Sequence, residues 1–386
     1  MLAAHYEGHR GCEDEGPADS MRRDRVSWLT AQGGHRIRLE AATICQLACP
    51  SCPTTQGVVK AQIGAGFLRF EQFRRIVDDN PRISEIELSN WGEIFLNPDI
   101  ERIIEYAYRR NVALSAWNGA NLNHVRDSVL EAMVRCKFRV VTCSIDGATG
   151  ETYEIYRRKG DLARVLDNIR KLNAYKTRWR SRYPKLLWQM IVFGHNQHEI
   201  AAARSLAREL DMTFVLKTNW DPDYSSVPQR SSPAVTAAGG SPERQPAADP
   251  AVSPERDEAQ SDGICYQLWN EPQINFDGAL LGCCVNTWGT FGDNAFEVGL
   301  ERALASPGLR YAKEMLLGKA PPKAGIPCTT CAVYATRSRA QRWLPPEPRG
   351  GLTRVLQRHG LGRWVVWIDN RLGRYLSPLV HSLHLT

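Results

Sequence analysis

Between positions 36 and 217, short apolar runs rich in β-branched residues alternate with longer segments of helical periodicity, and this alternation restricts the fold more than any other feature. Strand candidates cover 36–41, 85–89, 113–117, 139–145, 187–193 and 214–217. Helix candidates cover 70–79, 98–110, 123–135, 149–157, 162–178 and 197–209, and Asn97-Pro98 offers a cap before a first-turn proline. Such a succession predicts parallel βαβ units, an α/β fold with ligands at the C-terminal strand ends. At 386 residues, 43% of them hydrophobic, the chain is long enough for one large α/β domain and a smaller one.

Composition narrows the classes of partner. A formal net charge of +7 is too mild for a nucleic-acid binder, so no nucleic-acid partner is expected. Eleven cysteines, an odd number in a chain this long, argue against a disulfide framework and for metal. No apolar run approaches the roughly 18 residues of a membrane span. The polar, acidic N-terminus has no signal-peptide core, so the expected compartment is the cytoplasm.

Organisation follows from composition. Residues 1–34 read as a flexible tail, and 35–224 as the α/β core. Residues 225–263, rich in Ser, Pro, Ala and charge, read as a disordered linker. A smaller unit spans 264–335, with a hairpin turning at Asp277-Gly278 and a mostly helical stretch over 296–317. Residues 336–386 form an arginine-rich tail, expected to be helical, with Trp364, Trp367 and Tyr375. Packing over the core is the favoured expectation for that tail, and binding an acidic partner or a membrane surface is the alternative.

Three cysteines, Cys45, Cys49 and Cys52, fall in one short loop directly after the first strand candidate. Soft thiolates suit iron-sulfur clusters or zinc, but zinc asks for a fourth protein ligand and the loop holds no histidine. Three thiolates leave one iron of a cubane open for chemistry. The C-x3-C-x2-C spacing after the first strand resembles the radical S-adenosylmethionine (SAM) superfamily, and that resemblance implies a partial (β/α)6 barrel. It also implies a [4Fe-4S] cluster whose open iron is chelated by SAM, and cleavage of SAM to a 5'-deoxyadenosyl radical. Ser51 stands where the family usually has an apolar or aromatic residue near adenine.

Further motifs carry the same resemblance. Gly92-Glu93 after the second strand is similar to the family's Gly-Glu motif, which holds SAM's ammonium; glycine permits close approach and a carboxylate pairs with a cation. Asn118-Gly119 resembles a strand-end turn without a chemical role. Ser144, with Arg157 or its neighbour Arg158, matches the positions that bind SAM's carboxylate in related enzymes. Gln189, in the following strand candidate, is grouped with these cofactor-contact residues. Cys143, facing away from Ser144, is expected to be inert core. The stretch from Asn196 to Glu199 is expected to start a helix, with no chemistry for His198. Lys217 ends the last strand candidate, where it would face substrate.

A second cysteine group comprises Cys265, Cys283, Cys284, Cys328 and Cys331. The final C-x2-C pair alone would read as zinc. The full pattern, C-x12-G-x4-C followed by C-x2-C, resembles the auxiliary-cluster extensions of radical SAM enzymes. No cysteine follows Cys331, so it is similar to the truncated twitch version of the SPASM domain, a small C-terminal α+β unit. The resemblance implies an auxiliary [4Fe-4S] cluster on Cys265, Cys283, Cys328 and Cys331. Cys284 is left as the candidate catalytic thiol.

The resemblance favours an oxidoreductase. The radical would abstract hydrogen from a small molecule, a sugar or aminocyclitol, and the auxiliary cluster would accept an electron. A reductant such as flavodoxin or ferredoxin would serve the first cluster. The alternatives are an epimerase of a sugar or peptide, with Cys284 returning a hydrogen atom, and a peptide-modifying maturase. The 44 residues before Cys45 are expected to hold no peptide-clamping domain of the kind common in maturases, an expectation that favours a small-molecule or carbohydrate substrate. Outside enzymes, the competing class is a non-catalytic iron-sulfur protein, against which Gly92, Glu93, Ser144 and Arg157 speak.

Overall fold

The computed structural model describes residues 36–219, 221, 223–225, 263–345 and 360–372. The N-terminal tail, nearly all of the expected linker, and Tyr375 lie outside these residues. Six parallel strands, β1 (Arg36–Leu39), β2 (Glu85–Glu87), β3 (Ala113–Ala120), β4 (Val140–Ser144), β5 (Lys185–Val192) and β6 (Met212–Thr218), stand side by side in chain order. Between them run α1 (Val58–Ile63), α2 (Phe70–Asp79), α3 (Ile100–Arg109), α4 (Asp127–Arg135), α5 (Gly150–Tyr156), α6 (Leu162–Arg178) and α7 (Ile200–Glu209). This is a partial α/β barrel.

The helices take their positions from their apolar stripes. Phe70, Phe73, Ile76 and Val77 on α2, and Ile100, Ile103, Ile104 and Ala107 on α3, lie on one face and are buried. The two starts best marked by a side chain are those of α5, where Thr149 accepts from the Thr152 amide, and α6, where Asp161 accepts from the Arg164 amide. β4, at the middle of the parallel set, is buried along its whole length, as a strand covered on both faces must be. Trp188 of β5 is fully buried, and its indole donates to the Ile145 carbonyl at 2.9 Å, so its polar edge is satisfied.

Two local expectations are altered. The α3 helix begins at Ile100, two residues beyond Pro98. Asn97 instead accepts from the Asp99 amide and donates to the Ala41 and Leu68 carbonyls, tying the end of β1 to the start of α2. The helix α1 had no clear sequence signal; it is six residues long and packs through Val59 and Ile63.

The C-terminal segment does not stand apart from the barrel. β7 (Gln273–Ile274) pairs in parallel with β1, and β8 (Leu280–Gly282) pairs antiparallel with β7, so one sheet runs β6-β5-β4-β3-β2-β1-β7-β8. The hairpin turns at Gly278, whose φ of 96° suits glycine. The expected helical stretch is broken into α8 (Ala295–Val298), α9 (Leu300–Leu304) and α10 (Pro307–Leu316), interrupted at Gly299 (φ 85°) and at the Ser306 cap. Then α11 (Ala332–Arg339) runs through position 336, where the tail was expected to begin.

The tail helix α12 (Gly362–Leu372) packs on the barrel. Arg363 donates to the Ile83 and Asn80 carbonyls, and buried Asp369 meets Arg139, Arg182 and the Tyr183 hydroxyl. Ile83, Arg139 and Tyr183 precede β2, β4 and β5, so α12 covers the N-terminal ends of the strands. Trp364 and Trp367 stay exposed on it. Among the described residues, no helix is long and apolar enough to cross a membrane.

Candidate functional site

At the opposite, C-terminal ends of the strands lies a cavity of about 500 Å³. Cys45, Cys49 and Cys52 line one part of it. Their loop is held by backbone bonds from Glu93 to Ile44 (2.9 Å) and from Ala48 to Arg158 (2.9 Å). Cys49 is buried, the other two half-buried. Burial pushes the Cys45 thiol up to about 12, helped by the Glu93 carboxylate and the two neighbouring thiols. Burial also raises Cys49, opposed by Arg157. Thiols in this setting become ligating thiolates only beside strong positive charge, which iron supplies. Two donors already address the sulfurs: Asn121 Nδ2 lies 3.7 Å from Cys45 Sγ, and Arg157 Nη1 lies 3.9 Å from Cys49 Sγ. Three soft thiolate donors on one loop, with hydrogen-bond donors at two of the sulfurs, suit the chemistry of an iron-sulfur cluster rather than that of a hard cation.

Gly92, Glu93, Ser144, Arg157 and Gln189 all line this cavity. Glu93 caps the short turn Ile94–Leu96; its carboxylate accepts from the Phe95 amide at 3.1 Å and the Asn121 amide at 2.6 Å. Burial outweighs those bonds and pushes its carboxyl up to about 7, toward the neutral form unless a cation is brought beside it. Arg157 is oriented by a 2.6 Å bond from Nε to buried Asp146, which also accepts from the Ile191 amide at 2.7 Å. Arg158, the competing match, is exposed and absent from the cavity wall. Ser144 faces Gly119, where φ is 126° and a Cβ would stand 2.5 Å from its hydroxyl. Asn118 and Gly119 lie on the cavity wall. Cys143, on the other face of β4, is fully buried in the core, as expected.

Several contributors carried no recognised signal in the sequence. Asp146 was visible only as part of a strand-end Asp-Gly. Asn121 joins three parts of the site, accepting from Gln46 at 2.8 Å, donating to Cys45 and giving its amide to Glu93. Glu40, buried at the end of β1, accepts from the Trp91 amide at 3.0 Å beneath the Gly92 loop. Glu87 gathers Ser115 (2.6 Å) and the Trp117 amide (2.8 Å). Ser51 hydrogen-bonds Tyr156 at 3.1 Å, and Tyr156 lines the cavity and packs on Phe193 at 4.4 Å. The aromatic surface absent from position 51 thus enters from α5. Asn196 and Glu199 hold neighbouring backbone: Asn196 donates to Asp146 and Ile191 carbonyls, and Glu199 accepts from Thr149 and Thr152.

The second cysteine group is also assembled. Cys265 lies in helical residues 263–270, Cys283 follows β8, Cys328 sits in the turn Pro327–Thr330, and Cys331 begins α11. Three are buried and Cys331 is half-buried. Burial raises Cys265 and Cys328 to about 12 and holds Cys283 well above its usual value, and neighbouring thiols add to each. Cys284 is different. Its amide donates to Gln267 at 2.8 Å, its carbonyl accepts from Asn90 at 3.0 Å, and it lines the cavity shared with Cys45, Cys49 and Cys52. Lys217 and Thr218, from the end of β6, complete that part of the wall.

Residues 39–203 match the family model described as the radical SAM superfamily. No curated protein matches the sequence. Among solved structures, Streptococcus suis SuiB bound to S-adenosylmethionine is similar at a TM-score of 0.54 and 13% identity, over 83% of this chain and 77% of that one. SuiB bound to its precursor peptide SuiA gives 0.53 and 13%, over 86% and 79%. Native anSMEcpe with bound AdoMet gives 0.51 and 14%, over 90% and 99%. At these identities the likeness is one of fold.

Proposed function

We propose that this chain, whose residues 39–203 match the radical SAM superfamily model, acts as an enzyme of that superfamily and oxidises a small molecule, a sugar or aminocyclitol, by two electrons. Cys45, Cys49 and Cys52 hold the first [4Fe-4S] cluster in this reading, and Cys265, Cys283, Cys328 and Cys331 hold an auxiliary one. When bound, the first cluster and SAM supply a 5'-deoxyadenosyl radical that takes a substrate hydrogen, and the auxiliary cluster supplies an acceptor for one electron. Glu93 meets SAM's ammonium. Ser144 and Arg157 meet its carboxylate, with Arg157 held in position by Asp146. Tyr156 offers adenine an apolar face, and Gln189 a polar neighbour. A reductant such as flavodoxin or ferredoxin serves the first cluster.

The observation that carries the reading is the division of labour after β8. Cys283 is buried near Cys328 and Cys331, while the next residue, Cys284, stands on the cavity wall. Substrate in that cavity is thereby one residue away from the auxiliary site. The same observation favours a second reading, an epimerase in which the Cys284 thiol returns a hydrogen atom to substrate.

Anaerobic reconstitution tests the assignment. About eight irons per chain are expected, and replacing Cys45, Cys49 and Cys52 together by Ala should remove half. Cys45→Ala should abolish 5'-deoxyadenosine formation, whereas Cys328→Ala should retain part of it and lose product. Zinc in place of the second cluster would defeat the auxiliary-cluster assignment.

A further inference from the structure

We propose that Lys217 is an anion subsite of this cavity and that the substrate carries a carboxylate or phosphate group that pairs with its ammonium. The inference deepens the proposed function and rests on the same cavity. Of the charged groups on the wall, Glu93 is engaged by two backbone amides, and Arg157 is neutralised by Asp146. Lys217 is the remaining cation. It is the penultimate residue of β6 and sits in register with Ile191 of β5, another wall residue. Among the described residues, its ammonium has neither a hydrogen-bond nor an ion-pair partner.

Among the described residues, the acidic groups that act on Lys217 are Cys284 and Asp146, and Asp146 already accepts from Arg157 and the Ile191 amide. Burial lowers the ammonium's pKa, the mark of a charge that has given up water without gaining a counter-ion. An anionic group entering the cavity would supply that counter-ion, and a neutral ligand would leave the cost standing. The carboxylate of SAM is a competing source of the same chemistry. Arg157 lies 3.9 Å from Cys49 and is paired with Asp146, so it is the cation placed beside the three thiols, while Cys284 is foremost among the acidic groups acting on Lys217. With Arg157 beside the thiols, the Lys217 partner is taken to be the substrate, and SAM binding decides between the two.

The test uses reconstituted, unreduced holoenzyme saturated with SAM, with inorganic phosphate as the probe. Thermal unfolding is compared in phosphate and in chloride of equal ionic strength. Wild type should gain roughly 2 °C once phosphate exceeds its Kd about tenfold. Lys217→Met and Lys217→Gln should lose that gain, and Lys217→Arg should keep it. No gain in wild type over chloride, or an equal gain in wild type and both neutral variants, overturns the proposal. Equilibrium SAM binding supplies the second arm. Affinity in Lys217→Gln should stay within about twofold of wild type, and a tenfold loss would give the cation to SAM's carboxylate and overturn the substrate assignment. Neither arm uses turnover, so failure of deoxyadenosine formation in wild type would count against the proposed function alone.

Discussion

Gly92 packs against the backbone of Ala42 so closely that a Cβ at position 92 would stand 2.3 Å from the Ala42 carbonyl oxygen, and 2.7 Å from the Ile44 amide nitrogen. The glycine is thus required by contact between two protein loops, the one after β2 and the one leading into Cys45. Backbone atoms cannot give way as a flexible side chain does. Gly92→Ala should therefore displace the cysteine loop, lowering the unfolding midpoint and reducing iron retention by the first cluster. Iron analysis and thermal unfolding read the two effects. Normal iron content and an unchanged midpoint would mean the loops separate without cost.

Glu40 supports the same loop from below and should give stability a distinctive pH dependence. Burial raises its carboxyl from the usual 4.5 to about 8, against the opposing amides of Trp91 and Gly92 and the charge of Arg38. A carboxyl with a raised folded-state pKa binds its proton more tightly when folded. Its contribution is present below about 4.5 and is lost as pH rises to about 8. Glu40→Gln retains an acceptor for the amides without the ionisation. Its stability relative to wild type should climb across that window, by at most about 4–5 kcal/mol. Urea titrations of both proteins at pH 5 and pH 8 measure the difference, and a constant offset would refute it.

The sequence revealed the barrel because parallel strands and amphipathic helices have different periods, and the α2 and α6 boundaries were found as they stand. It revealed the thiols because C-x3-C-x2-C and the C-terminal set are local patterns. It did not reveal Asn121 or Asp146, whose roles depend on partners 28 to 76 positions away in one case and on Arg157 and Ile191 in the other. A lone Asn or Asp at a strand end has no local signature of what it will meet. The closing of β7 onto β1 was equally hidden, because a two-residue strand has no periodicity to read.

The buried Asp369 accounts for the docking of α12. It is 2% exposed and lies 3.1 Å from Arg139 and 3.0 Å from the Tyr183 hydroxyl, with Arg182 on its other oxygen. Removing one member of such a group leaves the others' charge uncompensated, which typically costs about 3–5 kcal/mol. Asp369→Ala should fall near the lower end, because Arg182 keeps some contact with water. Equilibrium unfolding measures the cost. Liposome co-sedimentation of wild type and of a chain ending at Pro345, beyond α11 and buried Leu344, tests the alternative role of the exposed tryptophans. Equal sedimentation would leave α12 a packing element only.

The fate of the abstracted hydrogen separates oxidation from epimerisation, and the position of Cys284 makes both outcomes chemically accessible. In an oxidation the substrate radical loses an electron to the auxiliary cluster and a proton to the surroundings, so the product is two hydrogens lighter and takes nothing from solvent. In an epimerisation the product keeps the substrate's mass, and the returned hydrogen comes from a thiol that exchanges with water. In the proposed auxiliary cluster, four cysteine ligands would leave no open iron for substrate, an arrangement that suits electron transfer better than bond-making. Turnover in heavy water should therefore give a product about two mass units lighter, with no deuterium at the reacting carbon. One deuterium incorporated, with no mass loss in ordinary water, would reverse the assignment. In that event Cys284→Ala should stop turnover while deoxyadenosine still forms, because the thiol on the cavity wall would be the hydrogen donor.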